Sequence, residues 1–115
     1  MAENQGLADA KWYVTAKYAG LSDYTSRIIY LDESGLEHIY DGHRYDFRDK
    51  ANVATKEKIS NFIERNMVSE KLYSANTVVQ GRIKAIYEVN YNTFLHVIIG
   101  SDGYIITSYP DYNPS

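Results

Sequence analysis

The chain has 115 residues, a formal net charge of −3 and 44% hydrophobic residues, which suits a single domain with a real core and excludes a disordered chain. It contains no Cys, so disulfides, thiolate metal sites and Cys nucleophiles are excluded. No apolar run reaches the roughly 20 residues of a membrane-spanning helix, and Met1 to Gly6 lacks the basic and apolar regions of a secretory signal. In chain order, Ala8 to Ala19 reads as a helix closed by Gly20, although Trp12-Tyr13-Val14-Thr15 has strand character. Arg27 to Leu31 reads as a short strand or a helix end, and Asp32-Glu33-Ser34-Gly35 as a turn. Asp41-Gly42 marks a second turn, and Tyr45 to Ala54, polar and without periodicity, reads as an exposed loop.

Thr55 is placed to cap a helix from Lys56 to about Met67, in which Ile59, Phe62 and Ile63 form an apolar stripe at i, i+3 and i+4. From Thr77 the pattern changes to alternation, with Thr77 to Asn90 as a strand, Asn90-Tyr91-Asn92 as a turn, and Thr93 to Ile99 as a near-continuous apolar strand. Gly100-Ser101-Asp102-Gly103 is a hairpin signal, Tyr104 to Tyr109 is the returning strand, and Pro110 stops it. The expected fold class is α+β: N-terminal helices over about 8–67, followed by an antiparallel β-meander over about 77–110, all in one domain spanning 1–115.

Two of the three His lie five residues apart in Leu36-Glu37-His38-Ile39-Tyr40-Asp41-Gly42-His43, followed closely by Arg44, Arg48 and Lys50. Two imidazoles among cations suit a phosphodiester, because one can take a proton, the other can give one, and a cation meets the charge growing on phosphorus. Residues 38–84 carry a balance of +3 against −6 for the rest of the chain, so the basic excess coincides with this stretch. The 12 Tyr offer stacking faces with polar tips; most are expected in the core with their hydroxyls at the surface. On the last strand Thr107 and Tyr109 point to one face, so two hydroxyls project side by side. His96, within Phe94-Leu95-His96-Val97-Ile98-Ile99, reads as structural. No His-x-x-x-His spacing occurs, so no metal site and no cofactor are expected.

The succession of His38-Ile39-Tyr40-Asp41-Gly42-His43, then Lys50, then Asp102-Gly103-Tyr104-Ile105-Ile106-Thr107-Ser108-Tyr109-Pro110, resembles bacterial EndoU-type RNase toxin domains, of the barnase–EndoU–colicin–RelE-like group. The resemblance runs from about Glu37 to Pro110, and Glu3-Asn4-Gln5 is similar to the Glu-Asn-Asn that often precedes such toxin tips. It implies an EndoU/barnase-like fold and metal-independent cleavage of RNA, tRNA being the expected substrate. The 2′-hydroxyl would attack the phosphate, leaving 2′,3′-cyclic phosphate and 5′-hydroxyl ends; DNA, which lacks that hydroxyl, would not react. His38 and His43 would be the acid–base pair, Lys50 the stabilising cation with Lys84 as the alternative, and Thr107 and Tyr109 the groups that position the phosphate and its neighbouring base. Arg44, Arg48, Arg82 and Lys84 would bind substrate. The resemblance further implies a domain carried by a larger secreted effector, such as those of contact-dependent inhibition, delivered into the cytoplasm of a target cell and blocked by a cognate immunity protein. The competing reading is a non-enzymatic module, an immunity or adaptor domain that binds a protein through Tyr and Asp surfaces; inertness toward RNA would distinguish it.

Overall fold

The computed structural model describes residues 10–17 and 24–115, with side-chain environments from residue 29 onward except at Ser69. The elements are β1 (Ala10–Lys17), β2 (Tyr24–Leu31), α1 (Glu33–Ala51), α2 (Lys56–Asn66), β3 (Leu72–Thr77), β4 (Ile83–Asn90), β5 (Thr93–Ile99) and β6 (Ile105–Asp111). The molecule is α+β, and its sheet runs in the order β2-β1-β3-β4-β5-β6. Strands β4 to β6 form the expected antiparallel meander, and β3, which lies before its expected start at Thr77, adds a fourth antiparallel strand. The N-terminal helix does not form. Ala10–Lys17 is a strand paired antiparallel with β2 along all eight residues, because the β-forming run Trp12-Tyr13-Val14-Thr15 finds a partner strand whose ladder outweighs the modest helix propensity of the flanking Ala and Lys. Residues 8, 9, 18 and 19 of the expected helix lie outside the described residues. The β1–β2 hairpin joins the meander through a short parallel contact between Lys17 and Asn76. At the far side, Tyr30 bridges Tyr104, its N–H donating to Gly103 O at 2.9 Å, so the two edge strands meet.

The His stretch is helical rather than a turn followed by a loop. Asp32 to Gly35 is a helix start rather than a free turn: the Asp32 carboxylate accepts from Gly35 N at 2.8 Å, satisfying one of the orphan donors of the first turn. Gly35 also permits the approach of this turn to β6, since a Cβ there would sit 3.0 Å from Ile105 O. Helix α1 then continues through Asp41-Gly42 and through the expected loop as far as Ala51, and Asn52 closes it in the left-handed conformation with φ 59°. The inward stripe is Leu36, Ile39, His43, Phe47 and Ala51, spaced by three or four. An imidazole occupies its centre, which is why the sequence looks aperiodic there.

Helix α2 forms as expected, capped by Thr55 Oγ1 accepting from Lys58 N at 3.1 Å, with Ile59, Phe62 and Ile63 buried. The expected strand from Thr77 is broken. β3 ends at Thr77, a tight 3-10 turn at Val79–Gly81 follows with Gln80 at φ 64° and Gly81 at φ 71°, and β4 starts at Ile83. The Gly100–Gly103 turn closes with Gly100 N donating to Tyr104 O at 2.8 Å. Pro110 lies inside β6, which runs one residue beyond it.

The core lies between α1, α2 and one face of the sheet. Phe47 meets Phe62 edge-on, with ring centroids 6.0 Å apart, above Ile83, Ala85, Tyr87, Leu95, Val97 and Ile99. Each of these side chains except the small Ala85 contributes roughly 1.5–3 kcal/mol by burial. Burial pushes the Tyr87 phenol well up from its ordinary value.

Candidate active site

The other face of the meander carries the polar groups. Cross-strand partners share a face, so the register lays out three parallel rows: Glu88–Phe94–Asp111, Ile86–His96–Tyr109 and Lys84–Ile98–Thr107. Helix α1 packs along β6 and brings His43 to the middle row. The His43 imidazole stacks on the Tyr109 ring at 5.0 Å between centroids, and His96 stacks on the same ring at 4.9 Å with an interplanar angle of 7°. Tyr109 is thus held between two imidazoles, one from the helix and one from the neighbouring strand.

His43 Nδ1 lies 3.0 Å from Asp46 Oδ2, and Lys50 Nζ donates to Asp46 Oδ1 at 3.2 Å. The residues at i, i+3 and i+7 share one side of the helix. Hydrogen bonding from His43, reinforced by Lys50, holds the Asp46 carboxyl below its ordinary value, and Asp46 in turn raises Lys50. A carboxylate at Nδ1 fixes the tautomer with the proton on that nitrogen and leaves Nε2 as the proton acceptor. Lys50 also lies 5.8 Å from the centre of the Tyr112 ring.

His96 is buried, and its Nε2 donates to Asn113 O at 2.7 Å, which ties the C-terminal tail across the strand. Burial lowers its pKa, opposed by the Asn113 bond, and nearby Lys84 lowers it further. Its Nδ1 and the Thr107 hydroxyl are both buried without a hydrogen-bond partner among the described residues. Burial and the nearby Asp111 charge both raise the Tyr109 phenol, which therefore stays protonated at neutral pH. Among the described residues no group of three His, Cys, Asp or Glu is placed to hold a metal ion.

Of the residues singled out in the sequence, His43, Lys50, Thr107, Tyr109 and Lys84 are gathered around this face. His38 is not paired with His43: five positions along a helix turn its side chain about 140° away, and it is exposed. Arg44 and Arg48 project from α1 beside Tyr45, their guanidinium carbons 5.0 and 4.9 Å from its ring centre, and line a separate 260 Å³ cavity with Tyr40 and Ala54. Arg82 lies in a third place, at the mouth of the β5–β6 turn. Two further residues join the candidate site. His96 lies opposite Tyr109 once the Gly100–Gly103 turn fixes the register, a signal present in the hairpin spacing. Asp46 lies three residues after His43, which carries meaning only on a helix.

No family model matches the chain, and no solved structure matches it. The chain is similar to a protein of Saccharomyces cerevisiae (strain YJM789) that carries the name of a glutamine–fructose-6-phosphate aminotransferase (isomerizing), with 26% identity over 95 residues. The match covers 73% of this chain and 13% of that protein, so the chain spans about an eighth of the relative's length.

Proposed function

We propose that the protein is a metal-independent endoribonuclease, with the Asp46–His43–Tyr109 constellation as its reaction centre. The observation that carries the reading is His43, whose Nδ1 is engaged by Asp46 while its ring lies against a protonated tyrosine. In the proposed reaction, Nε2 of His43 takes the proton of the RNA 2′-hydroxyl as that oxygen bonds to phosphorus. The P–O5′ bond breaks and the Tyr109 hydroxyl protonates the leaving oxygen. Lys50 meets the charge of the phosphorane, and Lys84 holds a non-bridging oxygen, while Thr107, whose hydroxyl is buried, shapes the row beside it. Acid–base assistance is worth roughly 10²–10⁴ in rate, and a preorganised cation contributes on a similar scale. His96 acts behind Tyr109 as a positioning residue, since it is buried and committed to Asn113.

The resemblance to EndoU-type toxin domains supports the same chemistry, and with it a role in competition between bacteria: delivery as part of a larger effector, RNA such as tRNA as the target, and a cognate immunity protein. Such an inhibitor would present acidic or amide groups to Lys50 and Lys84 in place of phosphates. The test is incubation of matched RNA and DNA oligonucleotides in EDTA with the wild-type chain and with His43→Ala. Cleavage of RNA alone, lost in the variant, is the expected result. Inertness of the wild-type chain toward RNA would favour the non-enzymatic binding module.

A further inference from the structure

The polar face does not end at Thr107. Arg82 is extended, with φ −74° and ψ 155°, and precedes Lys84 by two residues, so it continues the row pattern one step, about 7 Å, beyond the Lys84–Ile98–Thr107 row. There the sheet opens into a cavity of about 400 Å³, lined by Gln80, Arg82, Ser101, Asp102, Tyr104 and Ile106 among others. That volume lies in the range of small-molecule sites.

Four features of this cavity point to a ligand. Gln80 is a non-glycine residue held at φ 64°, a backbone state that persists where the surroundings enforce it and that clusters at ligand sites. Arg82 lines the cavity and has no ion-pair partner among the described residues. Asp102 accepts from Tyr104 N through Oδ1 at 3.1 Å, and its second oxygen has no hydrogen bond among the described residues. Tyr104 stacks on Tyr30 at 5.2 Å with one ring face, and the residue is 42% exposed. A planar ligand stacked on the remaining face of Tyr104 would find a two-pronged donor at Arg82 and an acceptor at Asp102.

The nucleobase that matches is guanine. Its O6 and N7 edge accepts from a guanidinium in bidentate fashion, and its N1–H and amino group donate to a carboxylate; adenine, cytosine and uracil do not combine both. We propose that this cavity is a base subsite that seats a guanine of the RNA next to the scissile phosphate. The proposal rests on the RNA-cleaving reading of the neighbouring face, and it adds which nucleotide that face selects.

Titration of the full chain with the four 5′-nucleoside monophosphates, followed by backbone amide NMR, tests it without any cleavage step. The expected result is that GMP shifts the amides of Gln80 to Arg82 and Ser101 to Tyr104 and binds at least roughly tenfold tighter than the other three. Asp102→Asn should retain the fold, because the amide oxygen still accepts from Tyr104 N, and should lose the preference for GMP; Arg82→Gln should weaken GMP binding. Equal binding of all four nucleotides, shifts confined to other regions, or an unchanged preference in Asp102→Asn would overturn the assignment. GMP bound in the cavity of a chain that cleaves no RNA would uphold the subsite and refute the catalytic reading. RNA cleavage without any GMP preference would do the reverse.

Discussion

Two replacements of Tyr109 separate what its ring does from what its hydroxyl does. Tyr109→Ala removes the ring from between His43 and His96, where the centroid distances are 5.0 and 4.9 Å. Each ring contact is worth about 0.5–1.5 kcal/mol beyond burial. Truncating a fully buried aromatic costs about 3–5 kcal/mol, and the partial exposure of Tyr109 brings the expected total down to about 2–3 kcal/mol. At roughly 4 °C per kcal/mol for a chain of this size, the melting temperature should fall by roughly 8–12 °C. Tyr109→Phe keeps both ring contacts. The hydroxyl has no hydrogen-bond partner among the described residues, so stability should stay within about 0.5 kcal/mol of wild type, while single-turnover cleavage should slow by at least roughly 10² if the phenol is the acid. Thermal melts and single-turnover rates on a fluorogenic RNA read both effects. A Tyr109→Phe variant with the wild-type rate would refute the assignment of the acid. A Tyr109→Ala variant that melts with wild type would show that the two ring contacts add no stability.

The two helical His should behave differently: His38→Ala should keep cleavage within about twofold of wild type, and a loss as large as that of His43→Ala would return His38 to the reaction centre. The buried His96 has a folded pKa below its unfolded value, so the unfolded state binds more protons as pH falls through about 6.5, and the stability His96 contributes is present above that pH and lost below it. Urea midpoints at pH 8 and pH 5 should therefore differ more for wild type than for His96→Phe, and equal differences would show that His96 is not the linked group. Gly42 lies within α1 with open space where a Cβ would stand, so Gly42→Ala should stabilise the protein by about 0.5–1 kcal/mol in a melt; a lower melting temperature would argue against an uninterrupted helix.

The second half of the chain is legible because its elements carry local signals. Thr55 caps α2, the Ile59-Phe62-Ile63 stripe faces the core, and the turns at Asn90–Asn92 and Gly100–Gly103 set β4, β5 and β6 in register. The first half is obscured by tertiary effects. Trp12 to Thr15 becomes a strand because β2 is available to pair with it. The α1 stripe is hidden because half-buried His43, an imidazole, interrupts its apolar residues and Gly42 beside it reads as a turn. The site follows the same division. Thr107, Tyr109 and Lys50 are candidates already in the sequence, whereas Asp46 and His96 enter the proposed site only through helix spacing and strand register. The expected pairing of His38 with His43 fails because it presumes a loop free to bring both imidazoles together, and a helix holds them apart.

In the proposed mechanism, His43 lets a 2′-hydroxyl attack the phosphate without a metal ion. The most direct measurement is chemical analysis of the ends left on an RNA oligonucleotide after incubation with the wild-type chain in EDTA. A 2′,3′-cyclic phosphate on one fragment and a 5′-hydroxyl on the other are expected, with neither formed by His43→Ala. Fragments ending in a 3′-hydroxyl and a 5′-phosphate, or the same cyclic ends formed at an undiminished rate by His43→Ala, would contradict it.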